Sequence, residues 1–308
     1  MLKTAPDHPI VSLARNATSI GDMFRRRVAQ SGPHPALYAK KNGDWEALSW
    51  SDFDDDARRV AHGLCALGLE PGERVAILGP TQIPWCIQDI GAQLAGLVSF
   101  GIYPKQAPEQ IRYLLQHSEA KVIFVADAKE LENVLLAAEG LSSLETIIPW
   151  TVELYASHRA RDPRIIDPAQ MEGEKITETL LNERLAARTP EDLAILVYTS
   201  GTTGPPKGAM ISHRNILEIL ATNTDDSGMT QGDMSLSFLP MAHVAERILA
   251  FYGRIDGGMA TAYASSISAV LSEVCEVQPT VFGSVPRIFE KAYAKIHGEI
   301  EKKPPAVQ

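Results

Sequence analysis

The sequence predicts an α/β fold with mainly parallel sheets. Between residues 74 and 148, short runs of Val, Ile, Ala and Phe alternate with helix-length amphipathic stretches, the pattern of strands covered on both faces by crossover helices. The composition agrees. With 45% hydrophobic and 22% charged residues, and 22 Gly and 20 Pro spread over 308 positions, the chain has material for a large core and none of the bias of disordered or repetitive proteins. No internal repeat is apparent.

From Thr18, the spacing of Ile20, Met23, Phe24 and Val28 predicts a helix capped by Thr18 or Ser19. Residues 36–39 and 45–48 read as two strands around Asn42-Gly43, the dipeptide that best tolerates the positive φ angles of a hairpin turn. Ser51 opens a long helix expected to bury Phe53, Val60, Leu64 and Leu67, with Gly68 at its C-terminal end and a turn at Pro71-Gly72. Strands follow at 74–78, 98–102, 122–125 and 146–148, separated by helices at 81–95, 108–117 and 129–138. Residues 151–190 are more polar, carry Asp162-Pro163 and Asp167-Pro168, and read as a connecting stretch with one helix over 175–187. A second α/β unit is expected from Leu193, dividing the chain into 1–190 and 191–308.

The 29 Lys+Arg against 38 Asp+Glu give a net charge of −9, which argues against nucleic acid as a main partner, because phosphate binding draws on basic surfaces. The basic run Arg25-Arg26-Arg27 reads as a solvated helix face, with phosphate or membrane-surface contact as the alternative. Cys65, Cys86 and Cys275 form no CxxC pair and are odd in number, so a disulfide framework and a thiolate zinc site are both disfavoured and a reducing cytoplasm is expected. Residues 1–14 lack the layout of a signal peptide, and no stretch reaches the roughly 18 apolar residues of a membrane span. The nearest, 90–103, reads as a buried helix running into a strand, and peripheral membrane contact stays open.

The chemistry concentrates after residue 193. A strand over 193–198 runs into Thr199, Ser200, Gly201, Thr202, Thr203, Gly204, Pro205, Pro206, Lys207 and Gly208. Glycines let backbone N–H groups approach phosphate oxygens, hydroxyls donate further bonds, and one lysine neutralises charge, so this string suits a polyphosphate. A helix starting near Ser212 is expected to add its positive N-terminal end. It is not a Walker A loop, since Lys207 lies between Pro206 and Gly208 rather than between Gly and Ser or Thr. Residues 235–247 read as an alternating strand, a stop at Pro240 and a helix start, placing His243 at a helix N-terminus. Residues 279–291 read as a strand, a turn and a helix, with Arg287 and Glu290 a solvated helical pair.

Taken together, the string from Tyr198 to Gly208, its flanks Thr189 to Ala194 and Ser212 to Asn215, and the stretch Ser235 to Arg247 resemble the adenylate-forming enzymes: acyl-CoA synthetases, luciferases and peptide-synthetase adenylation domains. The segment Pro279 to Lys291 resembles that of long-chain fatty acyl-CoA synthetases. The resemblance implies the N-terminal domain of that fold, stacked α/β subdomains with mainly parallel sheets, incomplete at the C-terminus. It implies activation of a long-chain fatty acid by ATP to acyl-AMP and then acyl-CoA, with Mg2+ and coenzyme A taking part. On this reading Thr199 to Gly204 and Lys207 hold phosphates, Thr199 stands near Mg2+, Lys207 and His243 serve the reaction, and His243 with Glu246 borders the acyl pocket.

What the family places later is missing from the sequence: no Thr-Gly-Asp occurs, and the lone Thr-Glu, Thr177-Glu178, precedes the phosphate loop. The 308-residue chain is therefore expected to be impaired alone. A non-catalytic binding remnant, one half of a split enzyme with a separately encoded C-terminal half, and a fatty acyl-AMP ligase loading a carrier protein are the alternatives. An exposed sheet edge beside 193–198 is expected if later strands are lost.

Overall fold

The computed structural model describes residues 2–8, 10–172, 178–199 and 204–301. Helix α1 (Ile20–Ser31), capped by Ser19, leads into a hairpin of β1 (Pro35–Lys41) and β2 (Asp44–Ser49). Asn42 at φ 51° and Gly43 at φ 97° form its turn, as the dipeptide predicts. Helix α2 (Trp50–Ala66) starts earlier than expected because Ser49, not Ser51, caps it: the Ser49 hydroxyl accepts from the Asp52 N–H while the Asp52 carboxylate accepts from the Ser49 N–H. Phe53 and Leu64 are buried; Val60 and Leu67 are half-buried.

Next come β3 (Arg74–Leu78), α3 (Ile83–Leu94), β4 (Val98–Ile102), α4 (Pro108–Ser118), β5 (Val122–Val125), α5 (Ala128–Ala137) and β6 (Thr146–Pro149), close to the sequence reading. The stretch read as a connection holds α6 (Val152–His158) as well as α7 (Glu178–Ala186), and residues 175–177 of the expected helix lie outside the described residues. Helix α6 escapes periodicity because it is seven residues long with Leu154 its one buried side chain. The remainder is β7 (Leu193–Thr199), β8 (Lys207–Ser212), α8 (His213–Asp226), β9 (Met234–Ser237), a π-helix (Ala245–Tyr252), α9 (Gly253–Gly257), β10 (Ala260–Tyr263), α10 (Val270–Val277) and α11 (Pro286–Glu301).

Two sheets result, ordered β6-β5-β3-β4-β7-β8 and β2-β1-β10-β9, parallel except for β8 and β2. The expected parting of sequence at 190 is not the parting of the sheets. Strand β7 pairs with β4, through Ser99 opposite Ile195 and Phe100 opposite Leu196, and so extends the sheet of the first half. The hairpin strand β1 pairs with β10, through Leu37 opposite Thr261, and so belongs with the second. Strand β9 is not the alternating strand expected: all four residues are buried, and its two serines are satisfied internally, Ser235 by Thr261 at 3.2 Å and Ser237 by Glu246. The outer side of β7 is covered by β8, so the free edge falls on β8 itself, where Met210 is 73% exposed. Among the described residues no helix is long and apolar enough to cross a membrane.

The basic run is not one solvated face. Arg26 pairs with Asp22 at 3.0 Å and Arg25 with Asp54 at 2.9 Å, but Arg27 is fully buried and donates to the carbonyls of Ile255 (2.8 Å) and Asp256 (2.5 Å). The 100° step of an α-helix separates the three side chains around its axis, so one of three neighbours must face the core.

His213, first residue of α8, is buried, and its Nδ1 accepts from the Ile20 N–H at 3.2 Å. Burial pushes its pKa down to about 4; the Asp192 carboxylate opposes the shift and Arg188 adds to it. An unfolded His, near 6.5, binds a proton that the native one refuses, so this contribution is complete above pH 6.5 and lost as pH falls toward 4. The melting temperature is expected to drop across that window, and a His213→Gln variant that still folds should lose the part of the drop due to this group; an identical pH profile in the two proteins would refute it.

Candidate active site

The strands at the two ends of the hydroxyl- and glycine-rich string, β7 and β8, pair antiparallel. The register of β7 and β8 sets Thr199 opposite Lys207 and Leu193 opposite Ser212. Ser200, Gly201, Thr202 and Thr203, four of the expected phosphate ligands, lie outside the described residues. Gly204 holds φ 111°, a backbone that side-chain-bearing residues rarely adopt. Lys207 is exposed at the mouth of this loop.

One expected contribution is lost. Helix α8 begins at the far end of β8, capped by the Ser212 hydroxyl, and five residue steps of about 3.4 Å put that cap roughly 17 Å along the strand from Lys207. Its positive end therefore cannot serve the loop. Sequence reasoning passed over β8 because the residues Lys207 to Ser212 have no apolar alternation; their burial is irregular, with only Gly208, Ile211 and Ser212 half-covered.

A cavity of about 670 Å3 lies beside the loop, at the carboxyl ends of β4 and β7. Thr199, Pro205 and Pro206 line it from the hairpin, Gly101 and Tyr103 from the end of β4, Tyr113 from α4, and His243 with Val244 from the segment before the π-helix. A smaller cavity of about 320 Å3 adjoins it and shares Tyr103. It lies past the ends of β3 and β4, where the chain, having added β4 on one side of β3, crosses to add β5 on the other. In open α/β sheets this reversal point opens the crevice in which ligands bind.

The walls are held by short-range chemistry. Tyr113 donates to the Pro206 carbonyl at 2.9 Å, His117 Nδ1 meets the Tyr198 hydroxyl at 3.0 Å, and the His117 and Tyr198 rings stand edge to face at 5.7 Å. Burial raises the pKa of both Tyr198 and Tyr103, so both stay neutral. Gly101 is required where it is: a Cβ there would stand 2.8 Å from the Ala242 Cα. The Thr81 hydroxyl donates to the Leu239 carbonyl at 2.5 Å and accepts from the Met241 N–H at 3.2 Å, fixing the Pro240 turn that leads to His243.

His243 lies exposed on the cavity wall, its Nδ1 accepting from the Ala245 N–H at 3.2 Å. Glu246 does not. It is buried, bonded to Ser237 and to Arg254, and points into the protein rather than bordering the cavity. On a helix, the three positions separating it from His243 do not ensure a shared environment when one residue precedes the first turn. Tyr103, Gln106 and Tyr113 are wall residues that the sequence reading missed. Tyr113 and His117, four apart in a predicted helix, share a face, but only the sheet order shows that β7 lies beneath it. Among the described residues no group of three or more His, Cys, Asp or Glu could hold a metal. The Glu109 carboxylate and the Thr199 hydroxyl are oxygen donors on the cavity wall.

The fold, with a cavity at the carboxyl ends of parallel strands bordered by Thr199, Pro205 and Pro206, is of the AMP-binding type, and the AMP-binding enzyme family model matches residues 24–307. The chain belongs to that family. Among its relatives are long-chain-fatty-acid--CoA ligases: ACSBG2 of Homo sapiens, 32% identical over 90% of this chain and 42% of its own length, and FadD15 of Mycobacterium bovis, 33% identical over 82% and 41%. The chain spans about two fifths of the length of these curated relatives. The A-PCP didomain of carboxylic acid reductase from Segniliparus rugosus, solved in complex with AMP, superposes with a TM-score of 0.81 over 96% of this chain and 47% of its own at 19% identity, which shows the shared fold.

Proposed function

We propose that this chain carries the phosphate-binding and acyl-binding part of an AMP-forming long-chain fatty acid–CoA ligase, and that the 308 residues alone are impaired in turnover. The observation that supports this best is the convergence of Thr199, Pro205 and Pro206, which flank Lys207 at the hairpin mouth, with His243 on one large cavity. In the reaction proposed, a fatty acid carboxylate attacks the α-phosphorus of ATP, forming acyl-AMP and releasing pyrophosphate; the thiolate of coenzyme A then attacks the acyl carbonyl and releases AMP. The first step brings two anions together, so positioning and charge stabilisation supply most of the rate.

Here the residues Thr199 to Gly204 and the Lys207 ammonium would hold the β- and γ-phosphates, while the apolar walls would take the hydrocarbon chain with its carboxylate near His243. Mg2+ suits a site with few protein donors: Thr199 would offer one oxygen, phosphates and water the others, and the ion would supply charge neutralisation. The free thiols Cys65, Cys86 and Cys275 suit a reducing cytoplasm.

Fatty-acid-dependent ATP–pyrophosphate exchange by the purified chain is expected to stay at background; robust exchange would overturn the impairment. Co-expression with a polypeptide supplying the later family motifs is expected to restore it, and comparing coenzyme A with a carrier protein as acceptor then identifies the second substrate. Lys207→Ala is expected to weaken ATP binding about tenfold, roughly 1.4 kcal/mol, by equilibrium dialysis. An unchanged affinity would remove Lys207 from the phosphate site.

A further inference from the structure

His243 stands one residue before Val244 and the eight-residue π-helix Ala245–Tyr252, an unusual length for a winding seen mostly as single turns and often at functional sites. One side of this helix is held by a cluster of polar groups closed off from solvent. Arg247 is 1% and Asp89 0% exposed; they form an ion pair, and the same Arg247 nitrogen donates to the Ser99 hydroxyl. The Tyr252 hydroxyl donates to Asp89 at 2.6 Å and accepts from Arg247 Nε at 3.2 Å, Ser99 donates to Asp89 at 2.7 Å, and Gln93 donates to Ser99 at 2.9 Å. The Arg247 guanidinium also lies 5.2 Å from the Trp85 ring centroid. Helix α3 and strand β4 thereby grip the π-helix from below.

Replacing a buried ion pair by apolar groups is often neutral or stabilising, so such a cluster is weak evidence for stability and better evidence for fixing one arrangement. The winding gives the arrangement. Residues five apart on an α-helix diverge by about 140° around the axis. Arg247 and Tyr252 are five apart, yet they bond to each other and to the same carboxylate, as the wider π winding allows. Arg247 also donates its backbone N–H to the His243 carbonyl at 3.0 Å, so the clamped residue is tied directly to the cavity residue.

We propose that Asp89, Ser99, Arg247 and Tyr252 form a positioning clamp that holds the π winding and so sets where His243 stands on the cavity wall. The functional meaning of that placement rests on the reading of His243 as a group beside the acyl carboxylate; the placement itself does not.

The test reads His243 directly. In 13C-histidine-labelled protein the His243 cross-peak, assigned with His243→Gln, is compared between the wild type and Tyr252→Phe, which removes one hydroxyl and no ring volume. The His213 cross-peak, from the remote α8, reports on the fold. The clamp predicts that the His243 peak shifts beyond its linewidth or broadens while the His213 peak stays. A stationary His243 peak in a folded variant overturns it. Where Tyr252→Phe loses the His213 peak, Ser99→Ala is read by the same two outcomes, and loss of fold in both overturns the positioning role and leaves the cluster a stabiliser. Ligand titration of the folded variants separates this from the reading of the site: a moved His243 with unchanged fatty acid affinity upholds the clamp and counts against His243 as an acyl-site residue.

Discussion

An Asp256→Ala substitution is expected to lower the unfolding free energy by about 3–5 kcal/mol, enough to unfold a chain of ordinary stability at physiological temperature. The carboxylate is fully buried and accepts from the Ser12 hydroxyl at 2.9 Å, the Ala14 N–H at 2.8 Å and the Thr224 hydroxyl at 2.6 Å, joining the segment before α1 to α8 and α9. It also lies beside Arg27. Burial pushes the Arg27 guanidinium down to about 10, and the Asp256 charge opposes that shift. Removing the carboxylate leaves three buried donors without an acceptor and a buried cation without its counter-charge. Urea denaturation followed by tryptophan fluorescence would show the loss as a shift of midpoint with little change of slope; an unmoved midpoint would refute it.

Gly101→Val is expected to have the largest effect on the cavity. The added Cβ would meet backbone at Ala242, 2.8 Å from Cα and 3.2 Å from N, and backbone cannot rotate aside as a side-chain tip does. The turn that carries His243 must move, at a cost of about 1–3 kcal/mol, and the extra methyl groups enter the wall of the 670 Å3 cavity. Binding of a fluorescent fatty acid is expected to fall by about tenfold or more, while Gly283→Ala, a glycine with open space around it, leaves affinity and stability unchanged. Equal affinity in Gly101→Val and wild type would remove this cavity from the acyl site.

Much of the first half was legible in the sequence because its signals are local. Strands β3 to β6 are continuous apolar runs, buried on both faces, and their helices carry one apolar stripe each, so periodicity alone separates them. The hairpin turn at Asn42-Gly43 follows from the φ angles that those two residues tolerate. Legibility failed where the decisive partner is distant. Strand β8 reads as loop because its order comes from pairing with β7, and β9 reads as alternating because the partners of Ser235 and Ser237 cannot be seen along the chain. Arg27 looks like a surface charge for the same reason, since its acceptors stand on another element, and the partners that turn Glu246 away from the cavity are equally invisible along the chain.

The candidate site divides the same way. The sequence by itself determined the α/β class and the Thr199 to Lys207 string suited to phosphates, because glycine freedom, hydroxyl donors and a lysine charge are properties of the residues themselves, whereas His243 stood out through the family resemblance alone. Only the tertiary structure decided that β7 joins the sheet of the first half, that the end of α8 lies too far from the loop to serve it, and that Tyr103 and Tyr113 share a cavity with His243 while Glu246 does not. Sheet order and burial depend on contacts between residues far apart in the chain, and local propensity does not encode those contacts.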